Sequence, residues 1–285
     1  MKSFFLHIFI NIKYLVIRDI RGGKNMMKDK IIRHSFVVGL LLCSIIQFSL
    51  YSQATSLNNE LIAWGFKRGE NNAQPELDLK AKRIVEEFEG IAIGNLNDKN
   101  IYLTFDCGYE DGYTDKILDV LEENNVKAAF FITGHYLNTA SDLVKRMIED
   151  GHIVGNHTVN HKCLSELNDE EIKKEIMNLH TAVYEKFGYE MKYFRPPKGE
   201  FSQRVIKNVK DLGYTTVMWS SAYDDWNKEK QGREEYGKKK ILDNIHNGCV
   251  LLLHSTSKDN CNILGEVIKE IRNKGYEFYS IEEFK

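Results

Sequence analysis

The chain has 285 residues, 42% of them hydrophobic, which is enough for one large core and fits a single barrel-sized domain better than two small ones. Its 39 Lys and Arg nearly cancel 41 Asp and Glu, leaving a formal charge of -2, so nothing favours broad electrostatic attraction to nucleic acid. The five cysteines, Cys43, Cys107, Cys163, Cys249 and Cys261, form no CxxC pair, which argues against a zinc ribbon or a disulfide scaffold.

At the N-terminus, Met26, Met27, Lys28, Lys30 and Arg33 precede an apolar run from Phe36 to Leu50, followed by Ser52-Gln53-Ala54. This is the layout of a signal peptide with cleavage after Ala54, and Met26 or Met27 is then the start of translation. The apolar run is short for a bilayer span, so an uncleaved anchor is the alternative. Residues 1–54 are therefore expected to be a leader, and the rest of the chain to be secreted or associated with the cell envelope. Any membrane contact would run through an uncleaved leader alone. Residues 55–98 are polar and mixed around the apolar knot Trp64-Gly65-Phe66, and read as an extension draped on the main domain, residues 99–285.

From there the sequence repeats short apolar runs followed by helical patterns. Runs at Ile101 to Phe105, Ala128 to Ile132, Ile153 to Gly155, Thr215 to Trp219 and Val250 to Leu253 predict buried parallel strands. Tyr193-Phe194 and Tyr276 to Ile281 are two further candidates. Helices are predicted at Thr114 to Asn124, Ser141 to Asp150, Asp169 to Phe187, Ser202 to Leu212, Lys238 to His246 and Ile263 to Lys274, several of them followed by Gly. Strand then helix, repeated, predicts an α/β fold, and about seven such units fit a closed or nearly closed (β/α) barrel.

In such barrels the loops after the strands all open on one face, so the residues ending each run carry the chemistry. Here the runs end in Asp106, in His157 with His161 close behind, in Arg195, in Asp224-Asp225-Trp226 and in His254. Each has an ordinary structural explanation when taken alone. An HxxxH spacing arises readily by chance, Arg195 before Pro196-Pro197 has the makings of a salt bridge to a helix, and Asp225 those of a helix cap. Five different strand ends delivering ionisable groups to one rim is the informative feature.

The segments Thr104-Phe105-Asp106-Cys107-Gly108, His157-Thr158-Val159-Asn160-His161, Arg195-Pro196-Pro197-Lys198-Gly199, Asp225-Trp226 and His254 to Asp259 occur in the order and spacing of a known family. The chain resembles the polysaccharide deacetylases with a NodB homology domain, which are carbohydrate esterases of family 4. Trp64 to Lys67, Gly108 to Thr114 and Arg195 to Ser202 look closest to the subgroup that deacetylates N-acetylmuramic acid on the route to muramic δ-lactam in the spore cortex. The resemblance implies a distorted (β/α) barrel and a groove for a cell-wall glycan, peptidoglycan. The alternatives are a deacetylase of peptidoglycan N-acetylglucosamine or chitin oligomers and, in another class, a non-catalytic glycan-binding protein.

His157 and His161 offer imidazole nitrogens suited to a divalent metal ion, zinc or a similar one. By resemblance, Asp106 is the general base, His254 the general acid, and the backbone N–H of Lys198 the oxyanion donor. Arg195 is expected to hold Asp106 ionised, and Asp225 to orient His254 and raise its pKa. Cys107 departs from the family's commonest pattern, in which a second aspartate binds metal at that place. Two readings stay open for it: a thiolate ligand, or a small buried apolar residue.

Overall fold

The computed structural model describes residues Leu57 to Phe284, which belong to one compact unit; the expected leader, and with it Cys43, lies outside the described residues. In chain order the elements are β1 (Ile62–Ala63), β2 (Phe66–Lys67), β3 (Glu76–Leu77), α1 (Leu79–Glu87), β4 (Asn100–Cys107), α2 (Thr114–Glu123), β5 (Ala129–Ile132), α3 (Gly134–Thr139), α4 (Ser141–Glu149), β6 (Ile153–Asn156), α5 (Asp169–Phe187), β7 (Tyr193–Phe194), β8 (Glu200–Phe201), α6 (Gln203–Asp211), β9 (Thr215–Thr216), α7 (Glu234–Asn244), β10 (Cys249–His254), α8 (Lys258–Asn273) and β11 (Glu277–Phe278). No described helix is long and apolar enough to cross a membrane.

The main sheet runs in the order β10-β4-β5-β6-β7-β9, with β11 also beside β4, and every pairing in it is parallel. Its central strand β4 is almost wholly buried, as expected of a strand covered on both faces. Beyond β9 the chain reaches β10 only through the isolated parallel bridge Ser221↔Leu251, and Ile91 wedges in through a bridge to Val217. The α/β fold is thus a distorted (β/α) barrel, closed on one side by bridges rather than by a full ladder.

Side-chain alternation divides β4 between two cores. Ile101, Leu103, Phe105 and Cys107 join the larger core under the helices. Tyr102 points the other way, joining Phe131, Ile153, Val217 and Val250 in a second cluster that fills the barrel. Thr104 and Asp106 share the phase of Tyr102, so β4 aims Asp106 up the inside of the barrel.

Helix ends follow local chemistry. Around α5, Asn168 and Glu171 form a reciprocal capping box and Gly188 closes the helix with φ 66°, a backbone conformation that costs glycine little. Two boundaries differ from expectation. Helix α8 starts at Lys258, five residues before Ile263, because the Ser257 side chain accepts the N–H of Asn260 and caps the helix there. Helix α7 runs Glu234–Asn244 rather than Lys238 to His246, with Glu234 and Glu235 in its first turn, where carboxylates favour the helix dipole. The apolar run Thr215 to Trp219 pairs in register with β7 only at Thr215 and Thr216; Val217 N–H still donates to the Phe194 carbonyl, while Ile91 donates to the Thr216 carbonyl and accepts the Met218 N–H.

Candidate active site

The side chains that the strand ends deliver converge on a cleft of about 1020 Å³ whose lining includes Asp106, His157, His161, Lys198, Trp226 and His254. Asp106 stands directly opposite His254 in the register of β4 with β10. Arg195 lies behind Asp106 and is fully buried. Its Nη1 donates to Asp106 Oδ1 at 2.8 Å, Nη2 to Thr104 Oγ1 at 3.0 Å, and Nε to the Val217 carbonyl at 2.9 Å. The guanidinium also lies 4.2 Å from the centroid of Phe131 and 5.6 Å from that of Trp219, a planar cation held between aromatic faces. Burial disfavours the Asp106 carboxylate, but Arg195 and the neighbouring His157 and His254 overcome this and hold its pKa below the ordinary value.

His157 Nδ1 sits 2.8 Å from the carbonyl oxygen of Arg195. A carbonyl only accepts, so Nδ1 carries the proton and the Nε2 lone pair faces Asp106 Oδ2, 3.5 Å away. Burial lowers the pKa of His157, and burial together with the adjacent His157 lowers that of His161 to about 4. Both rings are therefore neutral at pH 7, the state a metal requires of an imidazole. The two ring centroids are 4.9 Å apart. Among the described residues no group of three or more His, Cys, Asp or Glu side chains is arranged to hold a metal ion; the neutral nitrogens of His157 and His161 are donors that could hold one.

Cys107 lies on the opposite face of β4 from Asp106, in the core beneath the helices. Burial pushes its thiol well above the ordinary value, so it is neutral at pH 7 and lacks the thiolate a metal prefers. Of the two readings open in the sequence, this placement supports packing.

Across the cleft, His254 Nδ1 is 2.8 Å from Asp225 Oδ1, and the His254 backbone N–H donates to Asp225 Oδ2 at 2.7 Å. Burial works against a charged His254, yet the charge and hydrogen bond of Asp225, aided by Asp106, raise its pKa above the ordinary value. Asn260 completes the arrangement by donating from Nδ2 to Asp225 Oδ2 at 2.5 Å. Sequence reasoning missed Asn260, whose only signal is its place on the first turn after the Ser257 cap. Lys198 adopts a left-handed conformation, φ 57°, in the turn after Arg195-Pro196-Pro197, and lines the same cleft. Seven of the eight residues singled out from the sequence thus lie at or just behind one site, and the eighth, Cys107, is turned away from it.

The chain matches the polysaccharide deacetylase family over residues 93–217. It is 40% identical to the peptidoglycan-N-acetylmuramic acid deacetylase PdaA of Bacillus subtilis over 233 residues, 81% of this chain and 89% of that one. The solved structure of that protein, a family 4 carbohydrate esterase, superposes with a TM-score of 0.78 over 80% of this chain and 98% of that one. A family 4 carbohydrate esterase from Bacillus anthracis, 38% identical, superposes with a TM-score of 0.69 over 81% of this chain and 98% of that one. A peptidoglycan-N-acetylglucosamine deacetylase of Bacillus cereus is 32% identical over 66% of this chain and 88% of its own length. Barrel, strand-end residues and relatives agree: the chain belongs to the polysaccharide deacetylases, the family 4 carbohydrate esterases.

Proposed function

We propose that this protein is a hydrolase that removes the N-acetyl group from N-acetylmuramic acid in peptidoglycan, acting at the cell envelope after export. The observation that carries the chemistry is the pairing of Asp106 with Arg195 and of His254 with Asp225 across one cleft, a base kept ionised beside an acid kept protonated. The choice of sugar rests on the 40% identity to the muramic acid deacetylase. The sporulation role, a step toward muramic δ-lactam in the spore cortex, rests on the same likeness.

Asp106 takes a proton from water as the water oxygen adds to the acetamido carbonyl carbon. Asp106 is able to do so because Arg195 keeps it anionic, and the backbone N–H of Lys198, on the turn beside the cleft, is the donor assigned to the developing oxyanion. His254 then delivers its proton to the amide nitrogen as the C–N bond breaks, giving acetate and a free amine. His157 and His161 would hold a divalent ion such as zinc, which when bound supplies Lewis-acid polarisation of the carbonyl and of water. Cys107 packs beneath the helices and takes no part.

The test is acetate release from peptide-free glycan, intact peptidoglycan and chitin oligomers, with the muropeptides identified by mass. A stem peptide on the lactyl group next to the acetamido nitrogen crowds the rim, so peptide-free glycan is expected to be the preferred substrate. Preference for chitin oligomers, or loss of acetyl from N-acetylglucosamine instead, transfers the assignment to the activity of the Bacillus cereus relative. No acetate from any of the three leaves a glycan-binding protein.

A further inference from the structure

The loop from His157 to His161 is held in an unfavourable shape. Thr158 and His161 both have left-handed backbones, with φ 68° and 55°, and neither is glycine, so something outside the loop must stabilise the conformation. An account of its N–H groups shows what does. His157 donates to the Ile132 carbonyl, Thr158 to Asn156 Oδ1, and His161 to Thr158 Oγ1. The remaining two, from Val159 and Asn160, both go to Glu175 on α5. Val159 N–H reaches its carbonyl at 3.0 Å and Asn160 N–H reaches its Oε2 at 2.8 Å.

Glu175 is buried, and its second oxygen is also engaged. Oε1 accepts the Asn160 side-chain Nδ2 at 2.8 Å and lies 3.5 Å from Lys162 Nζ. One carboxylate thus grips Asn160 by main chain and side chain, between the two histidines and next to His161. Burying a carboxylate is costly unless each oxygen is satisfied. Here the partners are two donors of Asn160, in the loop itself, and the ammonium of Lys162 just after it, so removing the carboxylate would free the loop rather than merely open a gap.

We infer that Glu175 is the positioning residue of the histidine pair: its clasp on Asn160 sets the spacing and aim of His157 and His161, and thereby the protein's affinity for a divalent ion. The inference rests on the metal reading proposed above. Residues that orient metal ligands typically contribute about 10–100-fold in affinity.

The experiment uses the purified full chain and measures zinc affinity against a competing chelator, together with amide exchange of Val159 to His161 in the metal-free protein. Glu175→Ala is expected to weaken zinc about 10–100-fold and to speed exchange in the loop while the β4 amides stay protected. Glu175→Gln is expected to restore most of the affinity, because its Oε1 still accepts the Asn160 N–H and its amide can donate to a flipped Asn160 side chain. If Glu175→Ala does not fold, Asn160→Ala removes the Oε1 contact alone and should weaken zinc in the same direction. Unchanged zinc affinity with unchanged loop exchange, in whichever of these two variants folds, overturns the inference. Failure of the parent protein to bind zinc instead overturns the metal reading, and the exchange measurement then decides the clasp separately.

Discussion

Asp106 and His254 face each other on adjacent parallel strands, yet their surroundings push their pKa values in opposite directions. Arg195 lowers the pKa of Asp106 and Asp225 raises that of His254, against a burial cost in both cases. Two neighbouring groups whose pKa values are pushed apart make an acid and a base available at the same pH. The direction fixes the pH dependence. In the mechanism proposed above turnover needs protonated His254, so its alkaline limb is expected above the ordinary histidine value of about 6.5. Asp225→Asn removes the charge that raises it, and the alkaline limb of kcat is expected to move to lower pH; an unmoved limb means that another group supplies the proton. The same raised pKa gives the His254–Asp225 pair a stabilising contribution that is full below about pH 6.5 and is lost as pH rises through the folded value.

At the scale of elements, the segment before the barrel has more to do than cover it. β1 pairs antiparallel with β8, and Trp64 follows by donating its N–H to the Gly199 carbonyl and its indole Nε1 to the Trp219 carbonyl, at 2.9 and 2.8 Å. Gly199 has φ 69°, and a Cβ there would come within 2.7 Å of the Trp219 ring and 3.0 Å of the Trp64 Cβ, so a larger residue would force the Trp219 ring to shift. Trp64 therefore braces both the Lys198 turn and the ring that covers Arg195. Trp64→Ala is expected to cost about 3–5 kcal/mol, the range for a buried aromatic, measurable as a lower urea midpoint; a loss below about 1 kcal/mol, the worth of one hydrogen bond, would mean that the bracing is weak. The sequence marked this residue as part of an apolar knot. It did not disclose α1, whose Asp78 cap and buried Ala81 and Val85 are too few signals to stand out in a polar stretch.

For the molecule as a whole, the barrel gathers its site from strands that are far apart in sequence, so a ligand bridging His157 and His161 ties the loop after β6 to the folded state. Binding only the native form adds stability by mass action, about 2.7 kcal/mol at a hundredfold excess over Kd. Stripping divalent ions with a chelator is accordingly expected to lower the melting temperature, and adding back zinc to restore it. An unchanged melting temperature would mean that the native form binds no such ion selectively. The alternation of apolar runs with helical patterns was enough to determine the α/β barrel, and the polar residues ending those runs were enough to nominate the site, because strand ends in a parallel barrel share one face. Tertiary structure alone decided what those residues do to each other. Whether Cys107 faces metal or core depends on the phase of β4 against Asp106, and the closure through Ile91 and Ser221 depends on single bridges with no periodic signal. The grip of Glu175 on Asn160 joins a helix to a loop 15 residues away in sequence, and hydrogen bonds between side chain and backbone over such a distance leave no pattern in composition or spacing.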